Sequence, residues 1–600
     1  MDFIHRVSWI RVALGIVLAI GLPGTAGAQA PAGGADGRAA GAGGRAGGGG
    51  GRGGGVPEPY TPATDAKDLR AVLFNWERNM GMLKGHDERD MVAMLEYQGK
   101  GTIQVDGQPC TLTKYRASTN YQTYSQRIQY TCTRANGQAY SNIEVVSGLY
   151  AWNEDKPGAE IAGTKGKVTP MPATVQERLI RFWASPQGAP KAAVVGTTDK
   201  FWLGANPATL FADGLDKVGR TSLTWESGKP VVTFPLPGVT GATATATLDP
   251  KYMTERVVVT QGSTKTEFTY SDYQDWNNPL NKIEVFYAGK MTERKNNAVV
   301  RDLTTTQTET GNVYVVAPVP PSVTAAMKVT GEMPKGVFAR TEPPVDKSIP
   351  TPRLGAHPDL TGNYQYSDWI GNYMTGGGRR RAPTQSPDTT RQDNQTYDFE
   401  LYSPSRFGNM NRPTYKPEFW DKVQELDMWT NKYDPVMTCQ PLGVPREGPP
   451  RRIFQTDRDV TFIYTGGDAG GGYGEFRIIP TDNRKHDPQR AIEATYLGYT
   501  VGRWEGDTLV LDAISFVDTT WLGRGGFLHS PNMHVVEKFT RQGDVLLYDV
   551  TVEDPEMLAE PWVLPTRVVR RSTNPDAGLI RERGNCEVYE LNDISTQIRH

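Results

Sequence analysis

Histidine and cysteine are scarce in this chain: seven and four copies in 600 residues. That scarcity removes whole classes of chemistry. No C-x-x-C pair occurs, which excludes a thioredoxin-like redox motif and a zinc ribbon. There is no H-E-x-x-H, no G-x-S-x-G elbow and no glycine loop ending in G-K-[ST], so three common catalytic or phosphate-binding signatures are missing. An excess of one charge is missing too. The formal net charge is −2, without the basic face that nucleic-acid binding requires. Beyond the first residues no apolar run is long enough to span a bilayer.

The start of the chain predicts export. Arg6 and Arg11 precede an apolar core, Val12–Leu22, and Ala26-Gly27-Ala28 is a cleavage site before Gln29. This pattern reads as a secretory signal peptide over 1–28, and no cysteine follows the cleavage site to carry a lipid anchor. Residues 29–59 are glycine and alanine with Arg38, Arg45 and Arg52, too poor in apolar surface to offset the entropy of ordering. They read as a flexible leader on a periplasmic or secreted protein. The cysteines suit an oxidising compartment. Their spacing suggests Cys110–Cys132 within a hairpin and Cys439–Cys586 in the C-terminal half, each stabilising by about 3–5 kcal/mol. Four cysteines allow other pairings, which stay open.

Strand formers recur between Gly, Pro and Asn clusters, so the fold class is mainly β, with two antiparallel domains joined by a Pro-rich linker. The first domain, 60–321, opens with an amphipathic helix over Thr64–Met80. Strands follow from Met91–Tyr97 and Gly101–Val105 onward, interrupted by a helix over Ala173–Trp183 and ending at Asn312–Val316. The linker is 322–358. The second domain, 359–600, is expected to be a β-barrel or sandwich, with a short helix over Pro417–Trp429, a strand pair over Arg452–Thr465 and loops at Arg379–Arg381 and Gly466–Gly474.

The opening helix, the long meander, FTYSDYQDW (Phe268–Trp276) and the closing NVYVVAPVP resemble the open half-barrel of periplasmic lipoprotein carriers and their relatives. The resemblance implies a half-barrel-like sheet with covering helices, whose concave face binds acyl chains through apolar and aromatic side chains. It transfers no binding residue to a numbered position. The C-terminal phrases PDLTGNY, CQPLGVPR, YTVGRWEGDTLVLD, TTWLGRGGFLHSPNMHVVEKFTR and DPEMLAEPW resemble a widespread group of exported bacterial proteins without an assigned function. That resemblance implies one domain and no particular chemistry.

The candidate chemistry concentrates between Tyr496 and Val552. Glu505-Gly506-Asp507 and Gln542-Gly543-Asp544 are hairpin turns. Strand alternation puts Met533, Val535, Glu537 and Phe539 on one face and His534, Val536, Lys538 and Thr540 on the other. Glu537 therefore faces a core or cavity, where a carboxylate must be protonated, paired or ligating. Arg503, Arg541, Arg567, Arg570 and Arg571 are the expected partners. His529 and His534, with Asp518 and Glu537, form the candidate catalytic set for general acid–base work. With Glu537, Asp518 or His486 the two histidines would make a metal site only if their loop folded back. Parity opposes that, so no metal or cofactor is expected. Trp504, Trp521 and Trp562, with Arg503, are candidate ligand-binding residues. The leading expectation is an envelope protein that binds a hydrophobic or amphiphilic small molecule. The alternatives are a hydrolase or lyase using the His/carboxylate set, and an envelope scaffold with protein partners.

Overall fold

The computed structural model describes residues 62–84, 89–90, 92–198, 219–276, 285–310, 313–333, 348–365, 412–428, 433–464, 475–523, 526–564 and 566–572. All of them fall within one compact unit spanning 55–600. The signal peptide, the leader, Arg379–Arg381, Gly466–Gly474 and Cys586 lie outside the described residues.

The architecture is mainly β, as expected, and rests on two large antiparallel sheets. The first is thirteen-stranded. Its strands are β1 (Met94–Val105), β2 (Gln108–Asn120), β3 (Ser125–Arg134), β4 (Ala139–Ser147), β5 (Tyr150–Glu154), β6 (Val168–Pro170), β7 (Ser222–Glu226), β8 (Lys229–Pro235), β9 (Ala242–Leu248), β10 (Thr254–Gln261), β11 (Thr264–Ser271), β12 (Lys290–Lys295) and β13 (Ala298–Thr310). Across the sheet the order is β6-β5-β4-β3-β2-β1-β13-β12-β11-β10-β9-β8-β7, two meanders joined where β13 returns to β1. The two expected strands at 91–105 are one strand, bent where Gly99 and Gly101 pass under β13. Gly101 has φ +141°, and a Cβ there would lie 2.0 Å from the Asp302 carbonyl oxygen, so only glycine fits. Cys110 and Cys132 on β2 and β3 are joined by a disulfide, as the spacing suggested. Cys439 is also disulfide-bonded.

Three helices cover one face of this sheet. α1 (Leu69–Asn79) begins later than Thr64 because Asp68 takes an extended conformation and its carboxylate accepts the Ala71 N–H. α2 (Val175–Trp183) is close to expectation, whereas α3 (Gly188–Thr198) was not anticipated in a segment containing Gly and Pro. Trp76 of α1 and Trp183 of α2 are fully buried, and each indole N–H is satisfied, by Thr254 Oγ1 at 2.9 Å and by the Pro237 carbonyl at 2.8 Å.

The second sheet is ten-stranded and nearly closes into a barrel. It comprises β14 (Gly362–Gln365), β15 (Arg452–Gln455), β16 (Asp459–Ile463), β17 (Phe476–Pro480), β18 (Tyr499–Glu505), β19 (Thr508–Ile514), β20 (His534–Gln542), β21 (Val545–Glu553), β22 (Trp562–Val563) and β23 (Arg567–Arg571). The order is β17-β16-β15-β14-β23-β21-β20-β19-β18, with β22 also on β21. The ends approach each other at Pro480–Asn483, where the Asn483 N–H donates to the Gly502 carbonyl at 3.1 Å. Both anticipated hairpins form, with Glu505 opposite Thr508 and Gln542 opposite Val545.

Two expectations about the region between the sheets need correction. Residues 313–317 form no strand. Their side chains alternate between two cores, with Val313, Val315 and Ala317 in the first and Tyr314 in the second. The linker also starts as structure: α4 (Pro321–Ala326) places Val323 and Met327 in the first core. The expected helix at 417 forms as a 3-10 turn, Pro417–Phe419, leading into α5 (Trp420–Met428). Arg127 lies over the Trp420 ring at 4.5 Å, and the Gln424 amide donates to Glu96 on β1 at 3.4 Å.

Candidate functional site

The barrel strands settle where the anticipated catalytic residues sit. Along β20 the burial alternates as parity requires: Val535, Glu537, Phe539 and Arg541 are buried while Lys538 is exposed. Glu537 is fully buried and ion-paired, but its partner is none of the five expected arginines. Arg477 on β17 reaches across the barrel interior and donates to both carboxylate oxygens, at 2.6 and 3.0 Å. Tyr548 O–H donates to Glu537 at 2.8 Å, and Arg477 Nε donates to the Tyr464 hydroxyl at 2.9 Å. The strand carrying Arg477 follows a glycine-rich stretch, and only barrel closure brings it opposite β20.

His534 is on the outer face, between Asp512 Oδ1 and Glu553 Oε2, each 3.1 Å away. The hydrogen bond to Asp512 leads in raising its pKa to about 9, against the opposing effect of burial, with Glu553 adding to the rise. His486 Nε2 lies 3.7 Å from the same Asp512 oxygen. His529 is buried among Thr520, whose hydroxyl is 2.7 Å from its Nε2, and the Ser530 carbonyl, 2.9 Å from its Nδ1; burial lowers its pKa. Asp518 is exposed and bonds to neither histidine. The four residues therefore occupy separate environments: one inside the barrel, one outside, one in a packed loop and one on the surface. Among the described residues no three His, Cys, Asp or Glu side chains converge as metal ligands.

The anticipated ligand-binding residues do not make a platform. Trp521 and Trp562 are 6% and 4% exposed, too buried to offer a ring face. Trp504 already stacks on His357, with centroids 4.5 Å apart and an interplanar angle of 6°. Arg503 pairs with Glu505 on its own strand.

A convergent polar group lies elsewhere, under the helices of the first sheet. α2 is apolar toward the sheet except for two arginines one turn apart. Arg178 donates to the Val145 and Trp152 carbonyls at 2.8 and 2.6 Å. Arg181 donates to Glu293 on β12 at 3.1 Å and to Glu177 at 3.3 Å, and lies 3.6 Å from Glu144 on β4. Arg301 on β13, opposite Glu293 in register, pairs with the same carboxylate at 3.3 Å and donates to Tyr115 O–H at 2.6 Å. Burial disfavours the charged Arg181, but Glu293, Glu144 and Glu177 outweigh it and raise its pKa. The mirror case is Glu144. Burial pushes its pKa up, and Arg181, Arg301 and Arg178 bring it below the usual value.

Of these charges Arg181, Glu293 and Arg301 line a cavity whose apolar and aromatic walls include Leu95, Tyr97, Phe268, Tyr270, Tyr287 and Met291, with Thr119, Gln126, Ser185 and Thr292 as further polar lining. Its volume is about 30 Å3, room for one or two waters. Tyr270 also lines an open groove of about 1,080 Å3 at the C-terminal end of α1, with Leu83, Met253, Tyr273 and Phe286. On α2 the sequence held a signal for this site, an arginine at 178 on the apolar face of an amphipathic helix. The second half of the cluster had only the Asn296-Asn297 turn to announce its hairpin, because β12 and β13 read as a polar, threonine-rich stretch.

No family model matches the chain. No curated protein matches it either. Among solved structures, a LolA-superfamily protein from Nitrosomonas europaea is similar at a TM-score of 0.19 and 8% identity, over 41% of this chain and 94% of that one. A likeness this remote carries no argument about fold or function. The resemblance of the C-terminal phrases to exported bacterial proteins finds no support in these comparisons. Among the described residues no helix is long and apolar enough to cross a membrane.

Proposed function

We propose that this is an exported envelope protein that binds a hydrophobic or amphiphilic small molecule between the first sheet and α1–α3. The observation that carries the reading is the buried charge cluster at the edge of an aromatic-walled cavity. Buried ion pairs are often no more stabilising than apolar residues of similar volume, so a cluster of this size is poorly explained by packing alone. An apolar cleft with a few convergent polar groups is the usual form of a small-molecule site. The cavity as it stands is too small for an acyl chain. Loading therefore requires α2 and α3 to shift from the sheet, with the groove at Tyr270 as the route of entry. The Cys110–Cys132 disulfide is consistent with a periplasmic or secreted location.

The hydrolase or lyase reading draws no support from the geometry, since its four residues do not converge. Native mass spectrometry of the chain from Gln29, purified without detergent and then extracted with organic solvent, tests the binding reading. The expected result is a population of adducts of lipid mass that disappears on extraction and returns when the protein is incubated with lipid vesicles. A bare mass in all three states refutes it.

A further inference from the structure

Two features of the charge cluster specify more than an apolar ligand. The first is its balance. Four cations, Arg178, Arg181, Lys295 and Arg301, meet three carboxylates, Glu144, Glu177 and Glu293. Arg178 is held by backbone carbonyls and Asn153 rather than by a carboxylate, so the surplus positive charge is buried. The second is a vacant donor. Arg301 Nε lies 3.3 Å from a Glu293 oxygen and Nη1 donates to Tyr115, while among the described residues its Nη2 makes no hydrogen bond. The Arg301 side chain is 11% exposed, and it lines the cavity.

Glu293 shows what this arrangement accepts. Its carboxylate bridges Arg181 and Arg301, at 3.1 and 3.3 Å. A planar guanidinium fork favours carboxylate and phosphate oxygens, and such bonds strengthen where water is excluded. We propose that this end of the cleft selects a small oxyanion headgroup, carboxylate or phosphate, on an apolar tail, and that Arg301 is the residue that reads it. The inference rests on the ligand-binding reading above and narrows its substrate class. The headgroup takes up the vacant Arg301 donor and offsets the surplus charge. The tail lies against Tyr97, Phe268 and Tyr287. A cationic headgroup would meet Arg181 and Arg301, against Glu293 alone, and be repelled.

The test compares four probes of one chain length: dodecanoate, dodecyl phosphate, dodecanol and dodecyltrimethylammonium. Binding to the chain from Gln29 is followed by calorimetry below the micelle concentration of each. Charge-assisted hydrogen bonds in a water-poor site lead us to expect the two anions to bind about tenfold or more tighter than dodecanol, and the ammonium more weakly than dodecanol. Arg301→Gln should reduce the preference for the anions over dodecanol to within about threefold. Arg301→Lys keeps the charge and loses the fork, and should retain part of the preference. It carries the test if circular dichroism shows Arg301→Gln to be unfolded. Preference for one anion alone identifies the headgroup within the proposed class. Dodecanol binding as tightly as both anions, or a preference unchanged in both variants, overturns this inference and leaves the ligand-binding reading standing. Failure of all four probes to bind overturns both.

Discussion

Replacing Arg477 by methionine should destabilise the protein far more than the loss of one side chain suggests. The substitution keeps much of the aliphatic stem but removes the guanidinium that donates twice to Glu537, at 2.6 and 3.0 Å. Tyr548 remains as a donor to a carboxylate that is fully buried. Breaking one partner of a buried pair costs about 3–5 kcal/mol, because the other charge is left uncompensated. With a urea m-value of about 3 kcal/mol per molar, the unfolding midpoint should fall by about 1–1.7 M. The double variant Arg477→Met, Glu537→Leu removes the orphaned charge and should recover most of the loss. Urea titrations of the single and double variants at pH 7, followed by tryptophan fluorescence and near-ultraviolet circular dichroism, make the comparison. A single variant costing less than about 1 kcal/mol, or a double variant as damaged as the single, would refute the assignment of Arg477 as the charge partner of Glu537.

Two further outcomes follow from the geometry. His534 has its folded pKa raised to about 9, so its contribution is complete below the unfolded value near 6.5 and is lost as pH rises through about 9. Because the ring is 31% exposed, screening keeps that contribution under about 1 kcal/mol. His534→Gln should lower stability at pH 6 and leave it unchanged at pH 10, and an imidazole NMR titration midpoint near 6.5 in the wild type would contradict the clamp. Gly101→Ala brings a Cβ to 2.0 Å from the Asp302 carbonyl and forces an L side chain to φ +141°. It should cost about 3 kcal/mol or more and expose amides along β1 and β13 to hydrogen exchange, whereas Gly107→Ala, where nothing lies within 4 Å, should be much milder.

What the sequence disclosed was local, and what it concealed depended on closure. The hairpins around Gly506 and Gly543 announce themselves through turn residues between alternating strands, and the inward direction of Glu537 follows from parity alone. Cys110 and Cys132 were close enough for their pairing to be suggested. Arg477 could not be found by the same means. Its place opposite Glu537 exists only once β17 and β18 approach each other. The β12–β13 hairpin hid for a different reason. Its inward residues include Thr305, Thr308 and Thr310, which carry little apolar contrast, although Asn296-Asn297 at its tip, both with φ above zero, is a recognisable hairpin signal. Missing that hairpin meant missing Glu293 and Arg301, and with them the charge cluster. Arg178 and Arg181 were in plain sight on α2, but an arginine facing a sheet acquires meaning only when its acceptors are known.

The alternation along 313–317 has a practical consequence for anyone dividing this protein. Val313 and Val315 belong to one core while Tyr314, between them, hydrogen-bonds to Pro413 and Tyr415 in the other. A fragment ending before 313 leaves a furrow in the first core, open at the Asn120 and Arg127 donors that hold the Val315 and Val316 carbonyls. A fragment ending after 317 carries Tyr314 away and leaves Tyr415 facing an empty slot. The two sheets share these five residues as a zip shares its slider, and no single cut gives each half a finished edge.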